Sequence, residues 1–333
     1  MLTDRSRIAR SLCSSLAIAT ALIVGSGMAQ AQSLQGNGTF ASGTGTIGTA
    51  TGTTTVNITS SDAVIDWTTF DTAIGGGPIN FQPVSTTATF QSATDFSVLN
   101  RIIPTDPSRA VQFNGTVIGQ IQSTTTAPGG SVFFYSPGGV IVGSTAVFNV
   151  GNLGLTSIAP EVVGGVFEQT GTSGEFVRFN GAVTPGSAVS VQAGAQITSS
   201  GGANGNFVGI VAPVISQRGT INVNGVAALV SADAATITVS PSGLFDIQVT
   251  LGTSGNLGGF NSTLFNDGTI TGPAYSGTGA LHRVYMVAVP KNTAITLAIN
   301  GGSSLGFAIA GAADVNGNAV VLSAGRERPG ARE

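Results

Sequence analysis

The chain has 333 residues, 41% of them hydrophobic and only 8% charged, with 49 Gly, one Cys and a formal charge of −3. This balance excludes disorder, which goes with low hydrophobicity and high net charge. The six Lys and Arg between residues 32 and 324 are too few to neutralise a nucleic-acid backbone, so no nucleic-acid partner is expected. Gly, Thr, Ser, Asn, Val, Ile and Ala dominate, the vocabulary of short strands joined by tight turns, which predicts an all-β protein with a buried core.

The first element stands apart from the rest. Arg5, Arg7 and Arg10 precede the apolar stretch "SLAIATALIVGSGM", and "AQA" at residues 29–31 puts small residues at the −3 and −1 positions of a cleavage site. Residues 1–31 read as a secretory signal peptide, with cleavage expected before Gln32. The run is too short and too well terminated for a membrane anchor, and no later stretch has about 18 consecutive apolar residues. Cys13 precedes the apolar run, which argues against lipid attachment, and it would leave with the peptide. The remaining chain has no cysteine, so neither disulfides nor thiolate metal sites are expected.

Residues 43–49, "GTGTIGT", lie ahead of the periodic part and are expected to form an N-terminal cap. Gly43, Gly45 and Gly48 match the dinucleotide spacing G-x-G-x-x-G, but "TATGTTTVNIT" after them is no helix, so the match is read as chance. "AVIDWTTFDTAIGGGPINFQP" at residues 63–83 carries the only Trp, Trp67, with Phe70 and Phe81, and these are read as core or capping aromatics. Asp62, Asp66, Asp71, Asp95 and Asp106 are the densest group of acids. Their spacing makes no repeated outward ladder, and the calcium-binding nonapeptide is absent. Further on, "SVFFYSPGGVIVGSTAVFNV" at residues 131–150 consists of apolar strands interrupted by Ser136, Pro137, Gly138 and Gly139. Pro137 presets φ, and one of the two glycines can take φ > 0 at little cost, so a tight turn is predicted there.

Strands of four to seven residues fit the alternation in "TTTVNIT", "AVSVQAGAQIT", "GTINVNG", "ATITVS" and "HRVYMVAV", with turn signals between them. No helical periodicity occurs. Ile197, Ile221, Ile247, Ile270 and Ile295 recur at steps of 24, 26, 23 and 25 residues, which means one short unit repeated. The fold that fits is a parallel β-helix, whose coils stack at about 4.8 Å and whose inward Ile, Val, Leu and Ala form apolar ladders.

Two late motifs carry no chemistry. "GSSLG" around Ser304 matches a nucleophile elbow, but the sole histidine, His282, precedes it, whereas that arrangement needs a later one. His282 alternates with Val284 and Met286 and is read as pointing outward or into a local hydrogen bond. The tail "GRERPGARE" at residues 325–333 holds five charges, a composition jump read either as a truncated or frameshifted longer protein or as a solvated polar tail. No catalytic residue, metal or cofactor is assigned.

"VIDWTTF", "INFQP", "VLNRI", "GTVIGQIQS" and "GGSVFFYSPGGVIVGSTAVFNVGNLGLTS" occur in the order found in the filamentous haemagglutinin N-terminal domain, the secretion domain of two-partner secretion exoproteins. The chain resembles that family from about Gly38 to about Thr156, and later segments such as "QRGTINVNG" look like continuing coils. The resemblance implies a right-handed, single-stranded, pectin-lyase-like parallel β-helix with an N-terminal β cap. It divides the chain into a signal peptide (1–31), a secretion-type domain with the cap and first coils (32–160), continuing coils (161–324) and the charged tail (325–333).

It further implies a Gram-negative secreted or cell-surface adhesin. The Sec machinery would carry the chain across the inner membrane, and an outer-membrane barrel with periplasmic recognition domains would export it. Host or surface glycans or proteins are the implied adhesion targets. The family's Asn-Pro-Asn-Gly secretion turn carries over by position to Ser136, Pro137, Gly138 and Gly139, with both Asn replaced, and "LNR" marks Asn100 and Arg101 as further candidates. A β-helix enzyme acting on polysaccharide and an inactive remnant of a longer adhesin are the alternatives.

Overall fold

The computed structural model describes residues 32–122, 126–172, 174–201, 206–239, 245–257, 262–273, 282–291, 297–305 and 318–324. The signal-peptide reading, Cys13 and the charged tail lie outside them. No helix occurs among the described residues. From Thr53 onward the strands that build the coils fall into three parallel sheets, visited in rotation with a few extra strands inserted between visits. Sheet I begins with Asp62–Thr69, Ser97–Ile102, Ser131–Tyr135 and Asn152–Thr156. It continues through Asn206–Ala212, Gly225–Ser231, His282–Ala288 and Asn318–Ala324. Sheet III follows in each coil, from Ile79–Gln82 to Leu297–Ile299, and sheet II completes it, from Thr53–Ile58 to Ser304–Leu305. This is a parallel β-helix, as the composition and the alternation predict.

Register turns the rotation into energy. On sheet I, Ala63, Val98, Val132, Leu153, Val208, Ala227 and Val284 stack in one inward column, and Ile65, Asn100, Phe134, Leu155, Ile210, Leu229 and Met286 in the next. The apolar members of both columns belong to one continuous core. A ring ladder runs through it from Trp67 to Phe81, Phe113 and Phe134, with Phe90 and Phe148 against Phe134. Each such buried side chain contributes about 1.5–3 kcal/mol relative to exposure, and none could be buried by one coil alone.

The cap is larger than residues 43–49. Gly36–Ser42 pairs antiparallel with Asp62–Thr69, and Gly45–Ala50 pairs antiparallel with Thr53–Ile58, so two reversed strands cover the first coil on two sheets. Phe40 and Ile47 close the open end of the core. At Gly38 a Cβ would sit 2.8 Å from the Trp67 ring, so this glycine lets the cap strand cross the indole. Gly45 and Gly48 stand on a hairpin strand, not before a helix, which leaves no cradle for a dinucleotide.

The isoleucine repeat is partly corrected. Ile197, Ile221 and Ile270 do stack on sheet II, with Leu305 above them. Ile247 does not; it lies on Phe245–Leu251, an antiparallel strand outside the helix, and Ile295 falls outside the described residues. One coil therefore runs from Ile221 to Ile270, and the apparent period arose because an inserted hairpin carries the same alternation as a coil strand. Four such strands, Gln169–Gly171, Gly174–Phe179, Ala234–Val239 and Phe245–Leu251, form an outer antiparallel sheet. It covers the outer face of sheet I through a second apolar cluster that includes Val64, Leu99, Phe133, Phe167, Phe179 and Ile237.

Candidate functional site

The motif residues converge on three successive strands of sheet I. Trp67 Nε1 donates to Asn100 Oδ1 at 3.0 Å, and Asn100 Nδ2 donates to the Phe133 carbonyl at 3.1 Å, so one amide ties three coils together. Asn100 is fully buried in an otherwise apolar column, and its two bonds reach the strands on either side of it. Arg101 faces outward from the next position and forms a bidentate pair with Asp66 at 2.6 and 2.9 Å. Tyr135, one coil further, stacks on Arg101; burial raises its phenol pKa against the opposing pull of the guanidinium.

The predicted turn is present. The Gly139 amide donates to the Ser136 carbonyl at 3.0 Å, with Pro137 at the second position. The positive φ falls on Gly139, at 114°, and not on Gly138, which is the pattern of a type I turn. Residues 136–139 are all buried. A Cβ on Gly138 would press into the Arg109 carbonyl of the preceding coil, and one on Gly139 into the Ala188 carbonyl of the following coil. The turn is thus clamped between neighbours, and neither glycine can give way to a larger residue without displacing backbone. Ser136 Oγ is buried without a hydrogen-bond partner.

Beneath this turn, Arg109 staples two loops. Its guanidinium donates to Asp71 at 3.0 and 2.9 Å, to the Ala73 carbonyl at 2.9 Å and to the Gly77 carbonyl at 2.9 Å. The Arg109 guanidinium first, and then the Ala73 amide that donates to Asp71 Oδ1, lower the Asp71 pKa. Asp106 accepts from Ser108 Oγ and from the Ser108 and Gly75 amides, and these bonds lower its pKa as well. Three of the five acids singled out in the sequence, Asp66, Asp71 and Asp106, are therefore engaged in holding coils and loops together.

The other two, Asp62 and Asp95, and also Glu175, contribute like charge to the surroundings of Glu168. Sequence spacing missed this because Glu168 and Glu175 arrive with the loop and strand of the outer sheet. Ser97 Oγ donates to Glu168, and burial, reinforced by the neighbouring acids, pushes the Glu168 carboxyl up to about 7. Among the described residues no group of three or more His, Cys, Asp or Glu is placed to hold a metal ion. His282 is buried rather than outward; its Nε2 lies 3.2 Å from Asn224 Oδ1, and burial lowers its pKa. Ser304 lies exposed on the last rung of sheet II, paired with Thr269, while His282 belongs to sheet I.

No family model matches the chain, and no curated protein matches it by sequence. Among solved structures, the HMW1 secretion domain from Haemophilus influenzae is similar at 17% identity with a TM-score of 0.47, over 83% of this chain and 66% of that one. No helix among the described residues is long and apolar enough to cross a membrane.

Proposed function

We propose that the chain is a secreted, non-enzymatic exoprotein of the two-partner type, whose unfolded N-terminal part is read in the periplasm by an outer-membrane barrel before its coils stack outside the cell. The observation that carries this reading is the placement of the motif set. "VIDWTTF", "VLNRI" and "GGSVFFYSPGG" fall on consecutive strands of sheet I, and the Trp67, Asn100 and Phe133 hydrogen bonds join them. An ordered set of motifs that also forms one contiguous unit supports a secretion-type domain over chance matches. In this reading residues 32–160 are the part recognised, residues 161–324 are the start of a shaft, and adhesion to surface glycans or proteins is the role of that shaft.

The burial of residues 136–139 supports the order of events. A turn enclosed by the coils below and above it offers a partner no side chain once folded, so a signal in it is read before folding. Stacking of coils outside the cell then supplies a free-energy drop that opposes return.

The test separates turn from signal. Ser136→Ala removes only an unpartnered buried hydroxyl, so its folding stability should stay within about 1 kcal/mol of the parent. Secretion should nevertheless fall if a transporter reads that side chain, and deletion of the transporter gene should abolish export altogether. Export that continues at the parental rate without any outer-membrane barrel partner overturns the proposal.

A further inference from the structure

The outer sheet is assembled from two segments far apart in the chain. Gln169–Gly171 and Gly174–Phe179 form its first half, an antiparallel hairpin. Ala234–Val239 and Phe245–Leu251 form the second half, another antiparallel hairpin. The halves join along Gly174–Phe179 and Ala234–Val239, where Val177 stands opposite Ile237 and Phe179 opposite Ala235. Between them the chain lays down six strands of the helix, from Ala188–Val191 to Gly225–Ser231.

Both halves cover the same apolar strip. Val177 and Phe179 of the first and Ala235 and Ile237 of the second share one buried cluster with Leu99 and Phe133 of the early coils. The first half is tied to those coils by its entry loop. Phe167 is fully buried with its ring 4.9 Å from that of Phe133, and Ser42 Oγ of the cap donates to the Gly165 carbonyl at 2.6 Å. The Glu161 amide donates to the Arg178 carbonyl at 2.7 Å, and Val163 and Val166 exchange backbone bonds of 2.9 and 3.1 Å. The second half is anchored elsewhere, on a later coil. At its base the Asp233 amide donates to the Leu251 carbonyl at 2.9 Å, and Lys291 Nζ pairs with the Asp233 carboxylate at 2.9 Å.

An isolated two-stranded hairpin is marginal in water, whereas three or more strands with an apolar face are stable. We propose that the outer sheet is a two-part clasp: the first half and the loop at residues 158–168 hold to sheet I only when the second half pairs with them. The segment up to residue 160 therefore does not cover its own outer face, and Leu99 and Phe133 wait for residues 234–251. Pairing Val177 with Ile237 spans the intervening coils, so its loop-closure cost falls only after those coils have stacked. The clasp is a property of the folded chain and stands whatever the route of export.

Amide hydrogen exchange of the full chain tests it. Thr236→Pro breaks the pairing of the second half, because Ala234–Val239 is a central strand of the outer sheet and proline cannot donate to its ladder. The amides of Glu161, Val163 and Val166 bond within the first half and its loop. Their exchange should nevertheless quicken by at least ~10-fold, while the sheet II strand Thr87–Ser92 keeps the parental rate. Parental rates at all three amides overturn the proposal. Should the proline variant fail to fold, a cysteine pair gives the converse measurement. Phe176→Cys with Thr238→Cys, in a Cys13→Ser background, places two thiols opposite each other across the join. The oxidised pair should slow exchange of the same three amides relative to the reduced pair, and equal exchange in the two forms overturns the proposal.

Discussion

Sheets I and II are built from the same coils yet meet different surroundings. On sheet I the strand Ser131–Tyr135 is buried at every position, and so is Gly225–Ser231. On sheet II, Thr87–Ser92 and Gln196–Ser199 alternate strictly between buried and solvent-facing positions. The outward columns of sheet II carry Thr53, Thr87, Thr116, Thr220 and Thr269, interrupted by Val147 and Gln196, beside Thr55, Thr89, Thr198 and Thr271, interrupted by Ile118, Asn149 and Asn222. Outward positions of sheet I carry Val64, Leu99 and Phe133 instead, beneath the outer sheet. A strand buried on one face reads as alternation and a strand buried on both reads as a continuous apolar run. Two layers cover the middle of sheet I because the outward positions there are apolar as well.

Substitutions can break this contrast, beginning with the largest effect. Phe134→Ala, on the inner column, should cost about 3–5 kcal/mol and lower the midpoint of global denaturation, since its ring contacts Phe90, Phe113 and Phe148. Phe133 is its outward neighbour, packed on Phe167 and Phe207. A next step is Gly154→Ala, one coil above: the new methyl would overlap the Phe133 ring, so a loss of about 1–3 kcal/mol is expected. Its signature should be faster proteolysis within residues 158–179, with sheet II amides unaffected. Smallest of all, Thr220→Val on the open face of sheet II should change stability by no more than about 0.5 kcal/mol. A Thr220→Val loss as large as that of Gly154→Ala in thermal denaturation would show that sheet II is covered too.

Much of the fold was legible without coordinates. Short strands, the parallel helix and the turn at residues 136–139 follow from alternation, Gly and Pro placement and stacked isoleucines. The outer sheet was not legible, because "ATITVS" and "FDIQV" have the same period as coil strands; only pairing tells an antiparallel hairpin from a coil. The continuous apolar runs "SVFFY" and "GVAALVS" were the available signal, since each demands cover on both faces. At the candidate site, Asn100 and Arg101 were marked by motif alone. Their different roles, one a buried tie between coils and the other a surface pair with Asp66, depend on which face of the strand each occupies.

Gly138 illustrates the same division. The sequence identified a Pro-Gly-Gly turn and the loss of both expected Asn. The close approach of the Arg109 carbonyl supplies the reason that no side chain is accommodated at Gly138. Local chemistry, through strand propensity, turn residues and two-residue alternation, determined by itself that this chain coils and stacks. Which strands leave the helix to cover sheet I, and which segment brings Glu168 against Ser97, was decided only by tertiary packing. Both depend on contacts between segments tens of residues apart, and no local pattern encodes the distance between them.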